Sequence, residues 1–231
     1  MISAILFDKD GTLFDFYRTW GAVTEEAALL ATEGDAARAA DLMLKSGKDP
    51  ATGRYHPGST IASGSNREIV AVWAEILGRS DVDALYDAVQ AHFLKRQPDV
   101  MHPVVDFNSF FAKLKDRGYR LGIATMDSEA AAHQAMDKFG VRQILDFICG
   151  FDTGHGLKPG GGMVEAFARL IALPASAIAV VGDSPHDMHM ARAGKAGRAI
   201  GVLTGVSSSE ALVEAGAHVV LESIADLEAA L

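Results

Sequence analysis

Two aspartates stand two residues apart where a short apolar segment ends near the amino terminus. Residues 4–7 are Ala-Ile-Leu-Phe, and they run directly into Asp8, Lys9, Asp10 and Gly11. The segment predicts a buried strand. Because alternate residues of an extended chain point the same way, we expect Asp8 and Asp10 to lie side by side and Lys9 to point elsewhere. Two such carboxylates need a shared proton or a bound cation to cancel their repulsion. The alternative is a strand end that carries two solvated acids.

Further polar residues occupy comparable positions along the chain. Thr125 and Asp183 each end an apolar segment, Asp187 follows one helical turn after Asp183, and Lys158 lies in a Gly-rich loop. In open α/β sheets, ligands bind beyond the carboxyl ends of the strands, so all four side chains are expected to converge on the paired aspartates. Each has a simpler explanation when taken alone: a helix cap for Thr125, a solvated charge for Lys158, and helix-start acids for the other two.

The sequence pattern changes at about residue 104, where strands and helices that could position these residues begin to alternate. Strands are predicted at 119–125, 147–151, 177–183, 199–203 and 218–221, and helices at 107–116, 128–139, 162–171 and 185–193. Alternation of this kind predicts an α/β fold with a doubly wound parallel sheet and right-handed crossovers. The strand at 4–7 belongs to the same sheet.

Residues 15–103 contain no segment typical of a strand. Helices are predicted at 16–44 with a break at 33–35, at 66–77 and at 81–96, and a Gly- and Pro-rich loop at 46–65. The helix at 81–96 is expected to end before Pro98. We therefore expect an inserted α-helical cap domain, 15–103, to act as a lid on a core domain made of 1–14 and 104–231.

Composition limits the class of protein. The 231 residues carry 30 acidic and 21 basic side chains, for a net charge of -9. A nucleic-acid-binding protein would show a basic patch, so no nucleic-acid partner is expected. No apolar run reaches the roughly 18 residues of a membrane span, and the amino terminus lacks the pattern of a signal peptide. We expect a cytoplasmic protein without a membrane partner, either a monomer or a homodimer.

The candidate residues resemble, in their order, the four motifs of the haloacid dehalogenase superfamily, and within it the phosphoglycolate-phosphatase-like enzymes with a helical cap. Asp8 to Thr12 is similar to the first motif, Thr125 to the second, Lys158-Pro159 to the third, and Gly182-Asp183 with Asp187 to the fourth. The resemblance covers residues 1 to about 205. It implies a Rossmann-like core and an enzyme that hydrolyses a small organic phosphomonoester, with phosphoglycolate as the leading substrate class.

The resemblance also implies roles for the charged residues. Asp8 would be the nucleophile that forms an aspartyl-phosphate, Asp10 the general acid and base, and Lys158 the cation that neutralises Asp8 and the phosphate. Mg²⁺ would be held by the Asp8 carboxylate, the Asp10 backbone carbonyl, Asp183 and Asp187. Manganese or cobalt could replace it.

Phosphate binding would fall to the first two motifs. The resemblance implies that Thr125 and backbone amides near Gly11, Thr12 and Met126 bind the phosphoryl oxygens. Relatives often have Asn after the threonine of the second motif, whereas this chain has Met126 and then Asp127. Since a backbone amide survives that change, we expect phosphate binding to persist and substrate specificity to differ.

The loop at 46–65 and the residues after it are rich in hydrogen-bond donors. Long loops of this kind are often functional, so Arg54, Asn66 and Arg67 are predicted to bind the carboxylate or hydroxyls of a substrate. A solvated surface loop is the alternative.

Two other functions stay open for the same motifs. A β-phosphoglucomutase-type isomerase would use the same two acids, Asp8 and Asp10. A non-catalytic phosphate-binding scaffold would have no need of Asp10. The dehalogenases and phosphonate-cleaving members lack the second acid, so the presence of Asp10 argues against both.

Overall fold

The polypeptide folds into two compact units, which are Met1–Phe16 with His102–Leu231, and Tyr17–Met101. We call them the core unit and the helical unit. The structure, a computed structural model, describes residues 1–56 and 58–231, apart from the side chains of residues 63 and 97. That 1–14 and 104–231 form a catalytic core domain, and 15–103 its cap, stays a prediction.

Six parallel strands form the sheet of the core unit. They are β1 Ala4–Phe7, β2 Arg120–Ala124, β3 Phe147–Cys149, β4 Ile178–Gly182, β5 Arg198–Val202 and β6 Val219–Leu221. Their order is β3-β2-β1-β4-β5-β6. All residues of β1 and β4 are buried, as is typical of central parallel strands that are covered on both faces. The predicted α/β fold with a parallel, doubly wound sheet is confirmed.

The strand register brings the carboxyl ends of the three central strands together. Phe7, the last residue of β1, pairs with Ile123 of β2 and Val181 of β4. Residues that follow these strands therefore emerge next to one another at one edge of the sheet, where open α/β sheets bind ligands. This edge receives Asp8, Thr125 and Asp183.

Five helices make up most of the helical unit. They are α1 Phe16–Ala31, α2 Ala36–Lys45, α3 Thr60–Ser63, α4 Asn66–Leu77 and α5 Val82–Val100. A capping box begins α4, because the Ser65 backbone N–H donates to the Glu68 carboxylate at 2.7 Å and the Glu68 N–H donates to the Ser65 hydroxyl at 3.2 Å. The fully buried Trp73 of α4 donates to the Ser46 hydroxyl at 2.9 Å, which joins this helix to the end of α2.

Two predictions for the helical unit are wrong in detail. Residues 46–65 are predicted to form one loop, whereas four of them form α3; the segment between Gly58 and Gly64 contains no Gly or Pro and is long enough for one turn. Residue 57 lies outside the described residues. The helix predicted to end before Pro98 continues to Val100, since a proline in the last turn removes only one backbone donor close to the helix end.

Five further helices belong to the core unit. They are α6 Phe107–Asp116, α7 Glu129–Lys138, α8 Gly162–Ile171, α9 Pro185–Ala193 and α10 Ser209–Glu214. The short α10 and three 3₁₀ turns are not predicted from the sequence, because elements of three to seven residues show too little periodicity. Among the described residues, no helix combines the length and apolarity needed to span a membrane.

Candidate active site

A buried lysine joins residues of the first, third and fourth motifs. Lys158, in the loop between β3 and α8, has its Nζ 2.5 Å from Oδ1 of Asp8 and 2.6 Å from Oδ1 of Asp187. The side chains of all three are at most 9% exposed. Asp8 is fixed at the end of β1, because its backbone N–H donates to the carbonyl of Val181 at 2.8 Å. The structure thus brings these three side chains together, and their chemical roles stay predictions.

The Asp187 carboxylate contacts both the start of α9 and Lys158. Its Oδ2 accepts hydrogen bonds from the backbone N–H of Ser184 at 3.1 Å and from the Ser184 hydroxyl at 2.6 Å. The other oxygen, Oδ1, contacts Lys158. Asp187 therefore makes the contacts of a helix-start acid and also lies beside Lys158, while its role as a site residue stays a prediction.

Asp183 follows β4, and two glycines leave the space that its carboxylate occupies. A Cβ at Gly11 would lie 2.5 Å from Oδ2 of Asp183, and a Cβ at Gly205 would lie 1.7 Å from it. Gly11 also has a φ of 86°, a left-handed conformation that glycine adopts readily. The backbone N–H of Val206 donates to Oδ2 of Asp183 at 3.2 Å. The loop after β5 therefore fixes the orientation of this carboxylate.

Sequence reasoning misses the contribution of this loop. Besides the contact from Val206, the Thr204 hydroxyl donates to the carbonyl of Gly11 at 2.6 Å, which ties the loop to the first motif. A signal was present in the sequence: Thr204 and Gly205 directly follow a predicted strand, as Asp8 does.

The carboxylates fit a divalent cation. Asp8, Asp183 and Asp187 are buried, and one oxygen from each lies within 4.8 Å of the other two. In the part of the chain that the structure describes, Lys158 forms ion pairs with two of these carboxylates, those of Asp8 and Asp187. When ionised, the cluster has an excess of negative charge and offers the oxygen ligands that Mg²⁺ prefers. Asp10 is outside this group of side chains, and the predicted contribution of its backbone carbonyl stays a prediction.

In the absence of a bound metal ion, the three carboxylates of the cluster repel one another. Burial raises the pKa of Asp8 from 3.8 to about 7; Lys158 opposes this shift and the negative charge of Asp187 adds to it. Burial, with the charges of Asp8 and Asp187, also raises the pKa of Asp183 well above 3.8. For Lys158, burial alone would lower the pKa, but Asp187 and Asp8 raise it above the ordinary 10.5. The lysine therefore stays charged.

We expect Mg²⁺ to stabilise the protein more at pH 8 than at pH 5. The folded-state pKa of Asp8 is raised, so the folded protein binds more protons than the unfolded chain between about pH 4 and 7, and the metal-free protein loses stability as the pH rises through that window. Bound Mg²⁺ removes that penalty. At 100 times its Kd it adds about 2.7 kcal/mol, which is about 5–10 °C in Tm for a chain of this size.

The measurement is thermal unfolding with Mg²⁺ and with EDTA, at matched ionic strength and at both pH values. Asp183→Asn serves as the control and should show a much smaller response to Mg²⁺. An equal Mg²⁺ shift at pH 5 and pH 8 in the wild-type protein would contradict the assignment of the cluster as a cation site.

A second buried lysine lies beside Asp10. The Nζ of Lys9 is 2.7 Å from Oδ2 of Asp10 and 3.0 Å from Oδ2 of Asp127, and the Lys9 side chain is 0% exposed. The prediction that Lys9 points away is wrong, because β1 ends at Phe7 and the chain turns at Gly11, so strand alternation does not reach these residues. Burial would lower the pKa of Lys9, but Asp10 and Asp127 raise it to about 12.

The second motif is held by its own hydrogen bonds. The Thr125 hydroxyl accepts from the backbone N–H of Asp127 at 3.1 Å, and the cap of α7 is Ser128 rather than Thr125. Thr12 of the first motif is fully buried, and its hydroxyl has no hydrogen-bond partner among the described residues. That Thr125, Gly11, Thr12 and Met126 bind phosphate stays a prediction.

The three residues predicted to bind the substrate outside its phosphate group, Arg54, Asn66 and Arg67, belong to the helical unit. Each contacts another side chain there: the Arg54 guanidinium is 4.8 Å from the ring centre of Tyr17, Asn66 donates to Gln90 at 2.9 Å, and Arg67 is 2.5 Å from Asp83. Their role in substrate binding stays a prediction.

We expect Gly205→Ala to weaken Mg²⁺ binding by roughly 10- to 100-fold, as is typical when a group that orients a metal ligand is changed. The added methyl group would overlap Asp183 and force its carboxylate to move. Calorimetric titration with Mg²⁺ measures the effect. Gly21→Ala is the matched control, since a Cβ there meets no atom within 4 Å. Unchanged affinity in Gly205→Ala would show that the loop after β5 does not orient the ligand.

Comparison with known proteins agrees with this fold. Residues 2–195 match the family model of the haloacid dehalogenase-like hydrolases. The chain therefore belongs to that family of hydrolases, and the predicted resemblance to the family is confirmed.

Individual relatives bear phosphatase names. A protein named probable phosphatase IndB, from Dickeya dadantii, is 33% identical over 145 residues, or 62% of this chain and 61% of that one, so the match spans less than two thirds of its length. The phosphoglycolate phosphatase of Rhodospirillum rubrum is 27% identical over 98% of this chain and 90% of its own. The crystal structure of a predicted phosphoglycolate phosphatase from Haemophilus somnus superposes with a TM-score of 0.76 at 15% identity, covering 99% of this chain and 97% of that one.

Proposed function

We propose that this hydrolase is a Mg²⁺-dependent phosphatase that cleaves a small organic phosphomonoester through an aspartyl-phosphate on Asp8. The observation that carries the proposal is the buried arrangement of Asp8, Lys158, Asp183 and Asp187 at the carboxyl edge of the sheet. A second acid, Asp10, follows in the same turn. Both curated relatives have phosphatase names, which supports the same class of reaction.

The first half of the reaction transfers the phosphoryl group to the protein. An oxygen of Asp8 attacks phosphorus, the bond from phosphorus to the ester oxygen breaks, and the electron pair stays on that oxygen. The carboxyl group of Asp10 gives its proton to the leaving oxygen, which departs as an alcohol. Lys158 contacts the Asp8 carboxylate and keeps it oriented while the anionic substrate approaches.

The second half returns the protein to its starting state. The Asp10 carboxylate takes a proton from water as the water oxygen attacks phosphorus, and the bond between phosphorus and Asp8 breaks. Inorganic phosphate leaves, Asp8 is again a carboxylate, and Asp10 again carries the proton. When bound by Asp8, Asp183 and Asp187, Mg²⁺ would supply the positive charge that lets an anionic nucleophile meet an anionic phosphate.

The names of the relatives and the chemistry of the site both support a class of substrate. A phosphoglycolate-like ester of a small acid or sugar is the leading candidate, since the Rhodospirillum relative is named for that substrate. Thr125 and the backbone amides of the first two motifs would bind the phosphoryl group. Arg54, Asn66 and Arg67 of the helical unit would bind the rest of the molecule.

The test is phosphate release from a panel of phosphomonoesters, with Mg²⁺ and with EDTA. The panel contains phosphoglycolate, glucose 1-phosphate and p-nitrophenyl phosphate. We expect Mg²⁺-dependent release from at least one alkyl ester. Conversion of glucose 1-phosphate to glucose 6-phosphate without phosphate release would instead identify an isomerase, and binding without turnover of any ester would identify a scaffold.

A further inference from the structure

The charged groups at the edge of the sheet are divided into two sets by the two buried lysines. Lys158 contacts Asp8 and Asp187, and Lys9 contacts Asp10 and Asp127. The first set contains the proposed nucleophile and metal ligands. The second set contains the proposed acid and base, together with two residues to which neither the motifs nor the reaction assigns a role.

Asp127 is held firmly enough to support Lys9. Its Oδ1 accepts from the backbone N–H of Ser128 at 2.8 Å, and its backbone carbonyl accepts from the N–H of Phe151 at 3.0 Å. Its backbone N–H donates to the Thr125 hydroxyl. These bonds fix the residue between β2 and α7, and they leave Oδ2 directed at Lys9.

Burial of a lysine between two carboxylates contributes little net stability to a fold. The desolvation of each ion costs several kcal/mol, and apolar residues of similar volume often serve the fold as well. A catalytic carboxyl group, by contrast, must be held within about 0.5 Å of its working position. The arrangement is therefore better explained by the control of Asp10 than by the stability of the core.

We propose that Lys9 is a positioning residue which, supported by Asp127, holds the Asp10 carboxyl group in the orientation from which it exchanges a proton with the reacting phosphate ester. The contact that carries the proposal is the 2.7 Å distance between Nζ of the fully buried Lys9 and Oδ2 of Asp10. The inference rests on the proposed phosphatase function. It adds Lys9 and Asp127 as the residues that select the orientation of the acid.

Substrates with different leaving groups distinguish a positioning role of Lys9 from a purely structural one. An alkoxide leaving group needs a proton from Asp10, whereas p-nitrophenolate leaves without one. The ratio kcat/KM reports only the steps up to the first irreversible one, here phosphoryl transfer to Asp8. The role of Asp10 as a base in the second half therefore affects kcat but not kcat/KM.

The experiment measures kcat/KM for phosphoglycolate and for p-nitrophenyl phosphate in Lys9→Met and in Lys9→Met with Asp127→Asn. The double variant removes the cation together with the charge that supports it, and so guards against misfolding of the single one. We expect roughly a 100-fold loss for the alkyl ester, the lower range of general-acid effects, and less than about a 3-fold loss for the aryl ester. Lys45→Met, at a salt bridge whose side chains are 54% and 53% exposed, is the matched control and should change neither value.

An equal loss for both esters, or no loss for either, would overturn the proposal. A crystal structure of the double variant gives a second readout that does not depend on turnover: the Asp10 carboxylate should leave its wild-type position, and an unmoved carboxylate would also overturn the positioning role. If the wild-type protein hydrolyses no ester of the panel, the proposed function has failed, and the position of Asp10 in that crystal structure then tests the positioning role alone.

Discussion

Asp8→Asn is expected to abolish turnover, with a fall in kcat of at least about 10⁴-fold, as is typical when a catalytic nucleophile is removed. An amide nitrogen cannot attack phosphorus to form the aspartyl-phosphate, while its carbonyl oxygen can still accept a hydrogen bond from Lys158. Rapid quenching after mixing with substrate should trap a phosphorylated protein in the wild type and none in the variant. Phosphate release from the best ester of the panel gives the rate.

The stability of the Asp8→Asn variant shows whether the loss of turnover comes from the missing nucleophile or from unfolding. The raised pKa of Asp8 shows that the folded, metal-free protein resists the negative charge of this residue. A neutral side chain therefore removes repulsion from Asp183 and Asp187, and the metal-free variant should unfold at a temperature no lower than that of the wild type above pH 7. Asp116→Asn, the same change at an exposed position at the end of α6, is the matched control. Turnover within tenfold of the wild type in Asp8→Asn would rule out Asp8 as the nucleophile.

Lys158→Met is expected to lower both stability and turnover. It leaves Asp8 and Asp187 buried without their shared cation, a change that typically costs about 3–5 kcal/mol. Because the folded-state pKa of Lys158 lies above the ordinary value of 10.5, the lysine stays charged below pH 10.5 and its own titration removes none of this contribution there. The difference between variant and wild type should shrink towards pH 4, where the carboxyl groups bind protons instead.

Two measurements check this result. Urea unfolding at pH 8 and at pH 4.5 gives the free energy of unfolding, and Mg²⁺ should restore part of the lost stability at pH 8 because it brings positive charge to the same carboxylates. Turnover should stay about 10²- to 10³-fold below the wild type even with saturating Mg²⁺. Lys113→Met, on the exposed face of α6, controls for the loss of a lysine. Full recovery of turnover by Mg²⁺ would show that Lys158 supplies only charge balance.

The sheet and the motif positions were predictable because they depend on local patterns. Apolar segments such as 4–7 and 178–182 are short, continuous and followed by polar residues, which is what buried parallel strands require. The position of Asp8, Asp183 and Lys158 then followed from the rule that ligands bind beyond the strand ends. Helix α4 was equally clear, since a capping box begins it.

The features that escaped prediction depend on contacts between distant segments. The space that Gly205 leaves for Asp183 depends on residues 22 positions apart, and the bond from Thr204 to Gly11 joins residues 193 positions apart. No local pattern encodes such a contact. The direction of Lys9 was wrong for a related reason: the strand period was extended by three residues beyond the true end of β1.

The ion pair between Lys9 and Asp127 has a consequence for the history of the sequence. The two residues come from different segments, yet each loses a buried ion-pair partner when the other is replaced by a neutral residue. Replacements at these positions should therefore be inherited together: descendants that lose the lysine between the first two aspartates should also lose the acid two residues after Thr125.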